Sequence, residues 1–237
     1  MLPLKDDQPR YSTPYVNTTL IVVNIAVFCL QFAQMVADPR GADQLLRTYG
    51  EIPAHLAAFV AGSHRYTPGD IIVPFFTSMF LHGSWLHVLG NMLYLYIFGD
   101  NVEDYLGHFK YLVFYLLTGL IAMATQVAVN LHSTAPTVGA SGAIAGVLGA
   151  YFVLYPRARV LTWFFELLIL VVWVPAWIIL IYWFFLNFLS GTATMLAIHR
   201  QNMGGVAFWA HVGGFISGAL MIKLFPERSR RYPYAYQ

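Results

Sequence analysis

Two side chains in this sequence stand at matching places in matching settings. Ser141 lies in Gly139-Ala140-Ser141-Gly142, at the head of an apolar run that ends at Tyr155-Pro156-Arg157. His211 lies in Ala210-His211-Val212-Gly213-Gly214, and its run ends at Phe225-Pro226-Glu227. Each is 14 residues from its run's end, roughly 21 Å at 1.5 Å per helical residue. If both runs cross a bilayer with these ends on one side, the two share a depth. A hydroxyl level with an imidazole pairs a nucleophile with its base.

The neighbouring residues support that pairing. For an arbitrary Gly-Ser-Gly the commoner role is helix packing, because small residues crowd membrane helix interfaces. Ser141 differs in opening a truncated helix, so the unpaired N–H groups of the first turn and the positive dipole end surround its hydroxyl. Those donors suit an oxyanion formed beside the serine. A histidine inside a membrane helix is costly and faces a cavity or a partner. Gly214 and Gly218 follow His211 at i+3 and i+7, while Ser141, Ala145 and Gly149 form a small-residue stripe at i, i+4 and i+8. Two such stripes let their helices approach closely enough for Ser Oγ to reach the ring.

His87-Val88-Leu89-Gly90-Asn91 adds a second polar pair at i, i+4, on one helix face. Counting 13 residues inward from each reaches Asp100 and Asp104, which puts both near the depth of Ser141. Neutral histidine and asparagine can donate to developing negative charge, so oxyanion stabilisation is their natural role; interhelical glue is the plainer one. No acid is expected to complete a triad: Asp100, Glu103 and Asp104 fall at an inner helix end, and Glu166 early in the run after the fourth helix. A Ser–His dyad can function without one. His82 reads as a helix-start or cavity residue, and His55, His64, His108, His132 and His199 fall at loops or helix ends. No HExxH pair is present, which disfavours a zinc protease, and no aspartate pair lies within the apolar runs.

The elements that must position these residues follow from composition. The 237 residues are 58% hydrophobic and 10% charged, against about 25% charged in a soluble domain, so this is an integral membrane protein. A net charge of +2, with its basic residues at helix flanks, does not suit nucleic acid. The single cysteine, Cys29, allows no internal disulfide. Met1 to Arg10 carries Asp6, Asp7 and Pro9 and lacks the features of a cleavable signal, so the first apolar run is expected to be a retained helix.

Six crossings are expected in an all-α membrane fold. The first runs about Thr19 to Val36, the second Leu86 to Tyr105, the third Tyr111 to Val129, and the sixth Val206 to Phe225. The fourth, Ser141 to Tyr155, spans only about 22 Å and must start inside the membrane, shielded by protein or a water-filled cavity. Val160 to Leu189 could hold two short helices, one long tilted helix, or a membrane-lying segment and then a helix from near Pro175. Placing Ser141 and His211 in the same half demands an odd number of crossings there, and one is expected. Lys5, Arg10, Lys110, Arg157, Arg159, Lys223, Arg228, Arg230 and Arg231 fall on one side; Arg40, Arg47, Arg65 and Arg200 on the other. That bias puts both termini in the cytoplasm. The expected organisation is a cytoplasmic segment 1–18, a membrane domain 19–225 with a long outer loop 37–81, and a cytoplasmic tail 226–237.

These residues resemble the rhomboid family of intramembrane serine proteases. The resemblance covers about Pro74 to Phe225 and rests on four ordered pieces. They are His82-Gly-Ser-Trp-Leu-His87-Val-Leu-Gly-Asn91, Gly99-Asp-Asn-Val-Glu103-Asp-Tyr-Leu-Gly107, Gly139-Ala-Ser141-Gly142 and Ala210-His211-Val-Gly-Gly214-Phe-Ile-Ser-Gly218. It implies a six-helix core, a Ser141–His211 dyad, and an oxyanion site from His87, Asn91 and the Ser141 N–H. It further implies single-pass transmembrane proteins as substrates, cut near the outer membrane face, a lateral gate at helix five with Trp177, Trp183, Phe184 and Phe185, and no metal or cofactor. Two departures stand out. Ala145 occupies a place where some members have an aromatic that packs on the catalytic histidine, and the first outer loop lacks their Trp-Arg pair, Arg65 being flanked by His64 and Tyr66.

The sequence thus predicts a serine endopeptidase acting within the membrane, under a cap at His199 to Phe208 hinged at Gly204-Gly205. Its partners would be transmembrane substrates and the lipid bilayer, not nucleic acid or metal. The compact chain points to a bacterial cell membrane. The rival is a non-catalytic relative that binds membrane helices; a small transporter would show inverted halves, and none are found.

Overall fold

A computed structural model describes residues 1–164, 170–196 and 207–228 of the chain. The elements run β1 (Leu2–Asp6), α1 (Tyr15–Ala37), α2 (Pro39–Tyr49), α3 (Pro53–Val60), α4 (Pro68–Thr77), α5 (Trp85–Leu106), α6 (His108–Val129), α7 (Ser141–Leu154), β2 (Arg159–Phe164), β3 (Leu170–Pro175), α8 (Ala176–Leu196) and α9 (Phe208–Met221).

The boundaries have local causes. Ser84 caps α5 by accepting from the His87 N–H. Gly107, at φ +78°, lets the chain leave α5 and enter α6 directly. In the long loop, Asp38 caps α2 and Thr67 with Asp70 forms a capping box on α4. The segment expected as an outer loop is therefore three short helices and a 3₁₀ turn, Ser78–Phe80.

At the centre stands α7, buried on every side from Gly142 to Tyr151, as a helix apolar around its whole circumference must be. It is enclosed by α5, α6 and α9, with α8 packed on α9 and α1 on α5. Among the described residues, three helices are long and apolar enough to cross a membrane: Tyr15–Ala37, His108–Val129 and Ala176–Met195. Trp85–Leu106 meets that test only with Pro68–Phe80, from which it bends by 77°. Ser141–Leu154 and Phe208–Leu224 are apolar but shorter. The chain is a membrane protein of apolar helices.

The expected all-α architecture needs one correction. A three-stranded antiparallel sheet, in order β1-β2-β3, joins the N-terminus to the connection after α7. It resolves the described part of the ambiguous run at 160–189 as two antiparallel strands, the second passing straight into α8 after Pro175. Segment 1–18 is thus strand, linker and helix start. Carboxylates on α5 hold it in place. Glu103 accepts from the N–H groups of Val16 (2.9 Å) and Asn17 (2.7 Å), capping α1 from another helix. Asp104 accepts from Tyr11 N–H and the Ser12 hydroxyl, and Arg10 reaches Asp100. Asp6, pushed up to about 6 by burial, accepts from the Tyr151 hydroxyl.

Candidate active site

Helix α7 begins at Ser141, and among the described residues no side chain caps its N-terminus. The N–H groups of its first turn therefore remain available beside the serine. The segment leading into α7 is pinned in place: Thr137 exchanges backbone hydrogen bonds with Glu51 (2.7 and 3.0 Å), and Gly139 N–H donates to Ser78 C=O (2.9 Å). Gly139 adopts φ +129°. A Cβ there would lie 2.7 Å from His87 Nε2 and 3.6 Å from Ser141 Oγ. Only glycine lets the His87 ring come this close to the serine. A small cavity of about 10 Å3 adjoins Ser141, Met79 and Ala210, with room for about one water.

Helix α9 meets α7 backbone to backbone. A Cβ at Gly214 would collide with Gly142 C=O, one at Gly218 with Gly146 C=O, and one at Gly149 with Phe215 C=O. That approach sets the buried His211 Nε2 2.7 Å from Ser141 Oγ. Gln126 Oε1, from α6, accepts from the Ala210 N–H and steadies the start of α9.

The other face of the imidazole belongs to α8. His211 Nδ1 lies 2.6 Å from Asn187 Oδ1. An amide oxygen can only accept, so Nδ1 carries the proton and Nε2 keeps its lone pair for the serine. The Asn187 amide nitrogen donates to Trp183 C=O (2.8 Å), fixing which way the amide faces. The Trp183 ring lies against His211 with centroids 5.5 Å apart and planes inclined at 33°. The ring support missing at Ala145 thus comes from the helix behind. The sequence reading missed Asn187 and Trp183 in these roles. A signal existed: Asn187 is the single amide within the apolar run 170–189, and an isolated polar side chain at membrane depth reads as functional.

His87 and Asn91 lie on one face of α5, but their partners differ. His87 sits against Gly139, whereas the Asn91 amide nitrogen lies 3.0 Å from His82 Nε2. The His82 and His87 rings meet edge to face at 5.1 Å. His82 is buried, and Gln31 of α1 bonds its backbone N–H and C=O. It therefore supports the α5 pair. The expected cap lies outside the described residues except for Ala207 and Phe208. Glu166 also lies outside. His55 sits within α3, stacked on Tyr66, and His108 pairs with Glu103. Among the described residues, no three His, Cys, Asp or Glu side chains converge on one point.

Comparison with known proteins adds the context. The family model for the Rhomboid domain matches residues 70–228. The chain is 30% identical over 149 residues to Rhomboid protein 1, mitochondrial, of Saccharomyces cerevisiae, covering 60% of this chain and 39% of that protein. To the presenilin-associated rhomboid-like protein, mitochondrial, of Homo sapiens, it is 25% identical over 211 residues, 85% of this chain and 46% of that one. To Rhomboid-like protein 11, chloroplastic, of Arabidopsis thaliana, it is 42% identical over 73 residues, 31% of this chain and 26% of that one. The chain spans less than half the length of these relatives. Their names are those of organelle proteins and give the expected bacterial membrane no support.

Proposed function

The chain belongs to the rhomboid family, and we propose that it is an intramembrane serine endopeptidase that cuts transmembrane segments of single-pass proteins. The observation that carries this reading is the line from Ser141 Oγ through the His211 ring to Asn187, at 2.7 and 2.6 Å, beside an uncapped helix N-terminus.

In this mechanism Ser141 Oγ attacks the scissile carbonyl carbon while His211 Nε2 takes the hydroxyl proton. Asn187 holds the imidazole in the required tautomer and accepts from the imidazolium that forms, the role an aspartate plays in serine proteases. Charge on the carbonyl oxygen is met by the Ser141 N–H, with His87 and Asn91 as further donors. Collapse breaks the C–N bond, and His211 returns its proton to the leaving amine. Water then attacks the acyl-serine, giving a proton to His211, and the ester bond breaks to release the new carboxyl terminus and restore the serine hydroxyl.

The reading takes α1, α5, α6, α7, α8 and α9 as six crossings, with α7 starting below the outer surface. Both ends of the chain then lie on the Lys/Arg-rich side. Because α8 carries Trp183 and Asn187, a substrate helix entering beside α8 would press on the support of the catalytic histidine. The test is cleavage of a transmembrane substrate by the purified protein in liposomes, against Ser141→Ala and His211→Ala. Cleavage by wild type alone supports the proposal; a chain that binds the substrate helix and leaves it whole is a non-catalytic binder.

A further inference from the structure

The two faces of the sheet differ sharply in what they touch. On one face Val160 and Thr162 are fully buried, and Asp6 meets Tyr151. Alternation along the strands puts Leu2, Trp163 and Val171 in one row of the opposite face and Lys5, Leu161 and Trp173 in the next. Val171 is 45% and Trp173 43% exposed. Lys5 Nζ stands 5.6 Å from the centroid of the Trp173 ring. Leu2, Leu161 and Trp163 are half-buried beside them and Lys5 is exposed, so apolar side chains and one cation form a contiguous patch on this face.

What covers it follows from its neighbour in the chain. Strand β3 enters α8 with no intervening loop, and Trp177, Ile178 and Ile181 of that membrane-length helix are exposed. The apolar face of the sheet therefore begins where the lipid-facing surface of α8 ends. Tryptophan beside lysine is the composition that anchors membrane proteins at the level of the lipid headgroups. A lysine stem lying along an aromatic ring carries its charge outward, toward phosphate. Depth is bounded as well. Among the described residues strand β3 is a sheet edge, and an unpaired edge is not tolerated in hydrocarbon.

We propose that this sheet is a membrane-interface element, seated with its Trp163–Trp173 face in the headgroup boundary of the leaflet at the Lys/Arg-rich side. Lys5 lies there among the lipid phosphates. The sheet then holds the inner end of α8 at a fixed height. This inference is independent of any proteolytic activity.

A nitroxide at Val171→Cys in a Cys29→Ser background, in liposomes of phosphatidylcholine and phosphatidylglycerol, tests it by power saturation against oxygen and a water-soluble nickel complex. Leu186→Cys in α8 serves as the lipid-facing reference. Seating at the interface predicts greater accessibility to oxygen than to nickel, at a depth shallower than that of Leu186. Greater accessibility to nickel means that the face stands in water and overturns the proposal. Protection from both means that a second copy or another protein covers it, which overturns it too. A second measurement needs no label at the site. The fluorescence lost in Trp173→Phe should be the part quenched by lipid brominated near the headgroup; quenching of that part by aqueous iodide instead contradicts the seating.

Discussion

Asn187 Oδ1 and Ser141 Oγ sit at opposite nitrogens of the His211 ring, at 2.6 and 2.7 Å. The imidazole is thus held between a helix of the bundle core and the helix behind it. Asn187→Ala removes the acceptor and leaves a buried N–H unpaired, at about 1–3 kcal/mol, or roughly a 5- to 150-fold loss. The loss should appear in kcat with KM nearly unchanged. Asn187→Asp should keep more activity than Asn187→Ala, because it still accepts from Nδ1. Steady-state cleavage by the three proteins, with thermal stability measured beside it, checks this.

The α5 pair is separable from the dyad. If His87 and Asn91 donate to the oxyanion, His87→Ala and Asn91→Ala should each lower kcat about 100- to 1,000-fold, the usual cost of one such donor. His82→Ala should cost little further activity in the Asn91→Ala background, since its hydrogen bond is to Asn91. A double-mutant cycle reads this directly.

Gly139 carries two demands, its φ of +129° and the His87 ring against its Cα. Gly139→Ala should therefore cost about 1–3 kcal/mol of backbone strain alone. Displacement of His87 should lower cleavage more than stability. Gly214→Ala acts elsewhere, driving α9 off the Gly142 carbonyl, and overpacking of this kind costs about 1–3 kcal/mol. Thermal unfolding and activity, measured together, distinguish the two.

Much of this arrangement was legible in the sequence. The apolar runs located α1, α5, α6 and α7 to within a few residues, because charges and turn residues bound them. The depth count paired Ser141 with His211, and the glycine faces explained the close approach of α7 and α9. The sheet was not legible. Leu2–Asp6 is too short to announce itself, and its partner lies some 150 residues away; Val160–Pro175 is apolar in a chain where nearly everything is. A run of apolar residues does not by itself tell strand from buried helix. Asn187 was hidden by a different cause. Its role depends on which face of α8 turns toward α9, and aromatic residues all round that helix leave the face undetermined.

Glu51 gives the account a pH signature outside the membrane helices. Burial pushes its carboxyl up from 4.5 to about 7, and its backbone is paired with Thr137, four residues before the serine. The folded protein holds this proton more tightly than the unfolded chain. Its contribution to stability is therefore fully present below about pH 4.5 and is lost as pH rises through about 7. The Tm of wild type should fall relative to Glu51→Gln across that window, with the largest gap at pH 8. Parallel melting curves from pH 4 to 8 check it.

The central claim is that Ser141 is a nucleophile activated by His211. Reaction with a fluorophosphonate, followed by mass spectrometry of the Ser141 peptide, tests it without knowing the natural substrate. Wild type should carry the phosphonyl group on Ser141, His211→Ala should lose at least about 100-fold in labelling rate, and Asn187→Ala should fall between them. An unmodified Ser141 in folded wild type, or labelling undiminished in His211→Ala, would contradict the account.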